Sequence, residues 1–125
     1  MSSNQQLPPF VQEQLAKFQQ TQQNFQSILM QKQQLESEKL ETEKALEELK
    51  KTGDDELVFK HAGTIMIKSN KKDLVEELEE QVELAKTKSS LLAKQEERLK
   101  TTLKEQETKI QEMMKNPSAN TNPPK

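Results

Sequence analysis

The sequence predicts a mainly α protein: a long antiparallel coiled-coil hairpin with one short β-hairpin between its helices, joined to other subunits through β-structure. Three observations carry this. The composition is too polar for a compact globule, a 3.5-residue apolar repeat runs along both halves, and a β-branched insert separates them. Of the 125 residues 30% are hydrophobic, 3% aromatic and 32% charged, which is short of the apolar material that a folded core of this length needs. The 16 Gln, with abundant Leu, Glu and Lys, add up to a helix-forming chain.

Gly and Pro delimit the helices. Nothing between Pro9 and Gly53 breaks a helix, and the same holds from Lys71 to Asn116. Proline is tolerated in a first turn and cannot continue a helix at its end. The expected elements are therefore a helix over 9–52, a β-hairpin over 56–69 and a helix over 71–116. Residues 1–8 are expected to be a flexible lead, and 117–125 a disordered tail.

In the first helix, Lys50 and Lys51 suit the negative end of the dipole, and Gly53 is suited to a left-handed position just beyond it. The second helix has two possible caps, Asn70 with Asp73 or Asp73 with Glu76, both in capping-box spacing. The residues alone do not choose between them.

Alternating steps of three and four pick out Val11, Gln14, Phe18, Thr21, Phe25, Ile28, Lys32, Leu35, Lys39, Thr42, Leu46 and Leu49 on the first helix. On the second they pick out Val75, Leu78, Val82, Ala85, Ser89, Leu92, Glu96, Leu99, Leu103, Gln106, Ile110 and Met113. This is the seam of a left-handed coiled coil. Folding the chain at the insert pairs Leu49 with Val75, Leu46 with Leu78, Leu35 with Ser89, Phe25 with Leu99 and Val11 with Met113. Lys39 then faces the small Ala85, and no polar seam residue meets another.

The insert carries Leu57, Val58 and Phe59, then a turn containing Ala62 and Gly63, then Ile65, Met66 and Ile67. A lone two-stranded hairpin is marginal in water, and its open edges invite pairing. The helices beneath are not expected to cover it, so copies of the hairpin from other subunits are.

Leu7–Gln26 (LPPFVQEQLAKFQQTQQNFQ), Lys44–Lys68 (KALEELKKTGDDELVFKHAGTIMIK) and Ala93–Lys100 (AKQEERLK) resemble archaeal prefoldin β subunits. The Pro-Pro start and the hairpin discriminate, since any coiled coil resembles the rest. A single hairpin is the β-class pattern. The Pro-bearing segment after Asn116 departs from it.

The opening MSSNQQLPPF has neither a charged n-region nor an apolar h-region, so a soluble, unexported, cytoplasmic chain is expected. The resemblance implies an ATP-independent chaperone (a holdase) and a heterohexamer of two α-class and four β-class subunits. Its hairpins would form a double β-barrel platform through Leu57, Val58, Phe59, Gly63, Ile65, Met66 and Ile67. Its coiled-coil tips would hold unfolded polypeptides and pass them to a group II chaperonin. The tip residues expected to meet clients are Leu7, Phe10, Val11, Leu15, Ile110, Met113 and Met114. Leu29, Met30, Leu84 and Leu91 lie off the seam in mid-helix.

Other classes find little support. The chain has no Cys, so thiolate metal sites and disulfides are ruled out, and one His, His61, cannot form a His-paired metal site. No phosphate loop or nucleophile–base set is present, so no catalytic residue and no cofactor is expected. Lys and Arg total 19 against 21 Asp and Glu, interspersed; no basic face offers itself to nucleic acid. No apolar run reaches membrane-spanning length. A non-chaperone scaffold, oligomerised through its hairpin, is the competing expectation.

Overall fold

A computed structural model describes residues 7–115. The order is α1 (Pro9–Lys50), β1 (Val58–Ala62), β2 (Ile65–Ser69) and α2 (Lys71–Lys115). Asn116, the expected tail at 117–125 and the first six residues of the expected lead lie outside the described residues.

Both helix starts follow from local chemistry. Pro9 takes the first helical position, where its missing N–H is not needed. The Pro8 carbonyl accepts the amides of Val11 and Gln12, both at 3.0 Å. At α2 the cap is Asn70: its Oδ1 accepts the Asp73 amide at 2.9 Å, and its Nδ2 donates to the Asp73 carboxylate at 2.9 Å. Of the two cap pairs the sequence allows, the structure selects Asn70 with Asp73.

The end of α1 differs from expectation. The helix stops at Lys50, not 52, and Gly53 is not left-handed, since Gly63 alone among the described residues has positive φ. The last turn tightens instead through Lys51 N–H to the Glu48 carbonyl at 3.2 Å and Thr52 N–H to the Leu49 carbonyl at 3.0 Å. The Lys71 ammonium then donates to the Lys50 carbonyl at 3.1 Å and the Thr52 carbonyl at 2.7 Å. With those carbonyls served by a cation, the left-handed glycine cap has no work left. Gly53 N–H donates to Glu56 Oε1 at 2.7 Å, closing a short turn before the strands.

The described residues divide into two compact units: residues 31–93, and residues 7–30 with 94–115. In each, α1 and α2 run antiparallel. In the first unit Leu35, Lys39 and Thr42 line one groove with Gln81, Ala85 and Lys88, as the Lys39–Ala85 pairing requires. In the second, Asn24 and Ile28 share a groove with Gln95 and Leu99. Every expected seam position is buried or half-buried, while nearly all other helical positions are exposed. Polar seam residues find local partners: Thr21, buried, donates its hydroxyl to the Lys17 carbonyl at 3.0 Å, and Thr42 to that of Glu38 at 2.9 Å. The side-chain oxygen of Gln106, Oε1, is buried without a hydrogen-bond partner.

The strands pair antiparallel with Val58 opposite Ser69 and Ala62 opposite Ile65, leaving Gly63 and Thr64 as a two-residue loop. Ala62 therefore belongs to a strand and not to the turn. Gly63 has φ +67° and Thr64 a negative φ, the sign pattern of a type II′ turn, whose twist matches that of the flanking strands.

Candidate functional site

Two apolar surfaces stand out, one in each unit. The first is the β-hairpin. Because paired residues share a face, Phe59, His61, Met66 and Lys68 lie on one side, and Val58, Lys60, Ala62, Ile65, Ile67 and Ser69 on the other. The second face turns toward the start of α2. Lys60 Nζ sits 2.9 Å from Glu77 Oε1, and Val58, Lys60, Ala62 and Ser69 are half-buried. Leu74, one helical turn before Glu77, is buried although it lies off the seam.

This corrects the expectation that the helices leave the hairpin uncovered. One face is partly covered, and the shared Lys60–Glu77 contact shows what lies against it. The other face is open along its length: Phe59, His61, Met66 and Lys68 are all exposed, Met66 at 60%. Ile65, Ile67 and Leu57 are exposed as well, Leu57 standing just ahead of β1. In a two-stranded sheet both strands are edges, so the outward backbone groups of each are unpaired by any neighbouring strand. Of the residues expected to join subunits, the structure gathers all seven on this hairpin or its approach. Only Val58 is half-buried, while Gly63 forms the turn.

The second surface lies where α1 begins and α2 ends. Val11 is 1% exposed and Met113 6%, so both are withdrawn into the packing that closes this end. Around them Leu7, Phe10, Leu15 and Ile110 are half-buried, and Met114 is 52% exposed. The seven expected contact residues thus separate into two that hold the helices together and five that keep apolar area in water. The helix start is fixed by a bond from Gln12 Nε2 to the Leu7 carbonyl at 2.7 Å, which folds Leu7 back over the first turn.

Sequence reasoning missed Leu74, Glu77 and Lys71. The signal for Leu74 was faint: an apolar residue next to seam residue Val75, on the turn where a strand must leave. Lys71 carried none, since a lysine at a helix start opposes the dipole unless another helix end lies beside it.

Among the described residues no group of three or more His, Asp or Glu side chains is placed to hold a metal ion, and no helix is long and apolar enough to cross a membrane. The family model for "Prefoldin subunit" matches residues 12–116. The prefoldin β subunit of Methanococcoides burtonii is 44% identical over 109 residues, covering 87% of this chain and 90% of the relative. That of Pyrococcus furiosus is 36% identical over 115 residues, covering 92% and 98%. The crystal structure of the prefoldin β subunit from Thermococcus strain KS-1 superposes with a TM-score of 0.73 at 35% identity, covering 96% of this chain and 99% of that one. Two long helices joined by one short antiparallel hairpin, and a match that spans this hairpin as well as both helices, show that the chain belongs to the prefoldin family as a β subunit.

Proposed function

We propose that this chain is an ATP-independent holdase subunit that keeps unfolded polypeptides from aggregating and passes them to a group II chaperonin. The observation that carries the proposal is the division at the helix ends. Val11 and Met113 are buried, while Phe10, Leu15, Ile110 and Met114 keep apolar surface in contact with water around them. A blunt, shallow apolar surface suits chains that present any hydrophobic segment, and methionine adapts its shape to varied partners. Each such contact is weak, and several ends acting on one unfolded chain give avidity without a deep pocket. Terminal turns lack a neighbour on one side and open at low cost, which would expose more of the same surface.

The exposed hairpin supports the assembly half of the proposal. Its open face and two edges are completed by other prefoldin hairpins, in a hexamer of two α-class and four β-class subunits closed through a β-barrel. The work needs no catalytic residue, nucleotide or metal, and takes place in the cytoplasm.

The test has two arms. Native mass spectrometry of this chain with an α-class prefoldin subunit should give a hexamer of two and four. Light scattering should then show that the hexamer suppresses aggregation of several unrelated denatured proteins without ATP. A hexamer that suppresses none of them would identify a scaffold instead of a chaperone.

A further inference from the structure

Most of the outward face of α2 is charged, yet two leucines stand on it. Leu84 is 54% exposed and Leu91 56%, seven residues apart and so about 10 Å along one side of the helix. Neither belongs to the seam, to the hairpin or to the helix ends. Leu84 lines a shallow hollow on α2 together with Glu76, Glu79, Glu80, Glu83 and Thr87. Two of these carboxylates are matched within the chain, Glu79 by Lys50 at 3.5 Å and Glu83 by Lys86 at 3.3 Å. Glu76 and Glu80 have no cationic partner among the described residues. They stand four residues apart on the helix, where like charges repel. Leu84 also lines a groove with Leu35, Lys39 and Lys88.

The two leucines leave about half their surface in water on the same helix as a carboxylate pair with no cation against it, an apolar and acidic surface together. We propose that this face of α2 docks a basic amphipathic helix of a partner protein. Its apolar residues would cover Leu84 and Leu91, and its Lys or Arg side chains would lie in the hollow against Glu76 and Glu80. The charge selects the occupant. An acidic or neutral amphipathic helix would bury the same leucines but leave the two carboxylates unmatched, whereas a basic one satisfies both requirements. The surface lies in the unit that carries the hairpin, so it is separate from the helix-end surface assigned to unfolded chains.

The experiment uses the full chain in its assembled form and two labelled probes, an amphipathic Lys/Leu helical peptide and a Glu/Leu peptide of the same pattern, followed by fluorescence anisotropy. The Lys/Leu peptide should bind with an affinity that falls as salt is raised, and the Glu/Leu peptide should not bind. Leu84→Ser with Leu91→Ser should weaken binding more than about tenfold, because two apolar contacts are lost. Glu76→Gln with Glu80→Gln should weaken it by a smaller factor and flatten the salt dependence. All four positions are exposed, so circular dichroism should show unchanged helicity in both variants. Equal binding of the two peptides, or undiminished Lys/Leu binding by both variants, would overturn the proposal. A change in subunit number on replacing the leucines would also overturn it, because the face would then belong to a second copy of the chain.

Discussion

Lys71 Nζ lies 2.7 Å from the carbonyl oxygen of Thr52 and 3.1 Å from that of Lys50, so the first residue of α2 caps the last turn of α1. The same ammonium is 3.4 Å from Asp54 Oδ1 and is itself only 22% exposed. One side chain therefore closes the loop that carries the hairpin, tying together two points 19 and 21 residues apart in sequence. Asp54, by contrast, is almost wholly in water, and its ion pair adds little.

Removing this cap should loosen the base of the hairpin. Lys71→Met keeps most of the aliphatic stem and deletes the donor, leaving carbonyls at a helix C-terminus without their cation. Hydrogen bonds to charged groups contribute about 1.5–3 kcal/mol, and partial exposure lowers that to about 1–2 kcal/mol here. Urea unfolding followed by circular dichroism should show the loss, and Asp54→Asn should show almost none.

Gly63 offers a cleaner backbone test. A Cβ at this position would meet no atom within 4 Å, so a substitution there is not opposed by any clash. Its φ of +67° is the whole obstacle, and a left-handed conformation costs an L-residue roughly 1–2 kcal/mol. Gly63→Ala should destabilise the hairpin by about 1 kcal/mol, with Gly63→Asn milder, read from amide exchange in Val58–Ser69.

Gln106 should respond in the opposite direction. Its side-chain oxygen is buried and unpartnered at a seam position, where an apolar side chain would pack without that penalty. Gln106→Leu is expected to stabilise the chain by about 1 kcal/mol, seen as a higher midpoint in thermal unfolding with helicity retained.

The seam was legible because a 3.5-residue repeat over some forty residues per helix leaves one face to bury. Each of its positions, from Val11 to Leu49 and from Val75 to Met113, is drawn out of water. The turn at Gly63 was legible for an equally local reason. What could not be read were features set by elements distant in sequence. Gly53 looked like a left-handed cap until the Lys71 ammonium supplied what that cap would have supplied. Leu74 lies off the repeat, and its burial follows from β1, which passes close to the adjacent turn through Lys60 and Glu77. At the helix ends the residue types were visible in the sequence. Their sides were legible too, because the seam register sets Val11 opposite Met113 and leaves Met114 off it, as their exposures of 1%, 6% and 52% show.

Assembly should depend on the hairpin and not on the helices. Phe59 and Ile67 project from opposite faces of it, and both are exposed in the single chain. Phe59→Asp with Ile67→Lys places a charge on each face, tolerable in water but costing several kcal/mol if buried unpaired. Analytical ultracentrifugation should find unassembled subunits while circular dichroism stays helical. An intact oligomer would place the subunit contacts elsewhere.

The most direct test of the account is aggregation suppression by a complex that lacks its helix ends. Deleting residues 1–10 and 113–125 from this chain removes Leu7, Phe10, Met113 and Met114 and leaves the hairpin untouched. Light scattering of a denatured client should then show protection lost, with oligomer size and most helicity preserved. Full protection by the truncated complex would contradict the assignment and place the holding surface elsewhere, on mid-helix residues such as Leu29 and Met30.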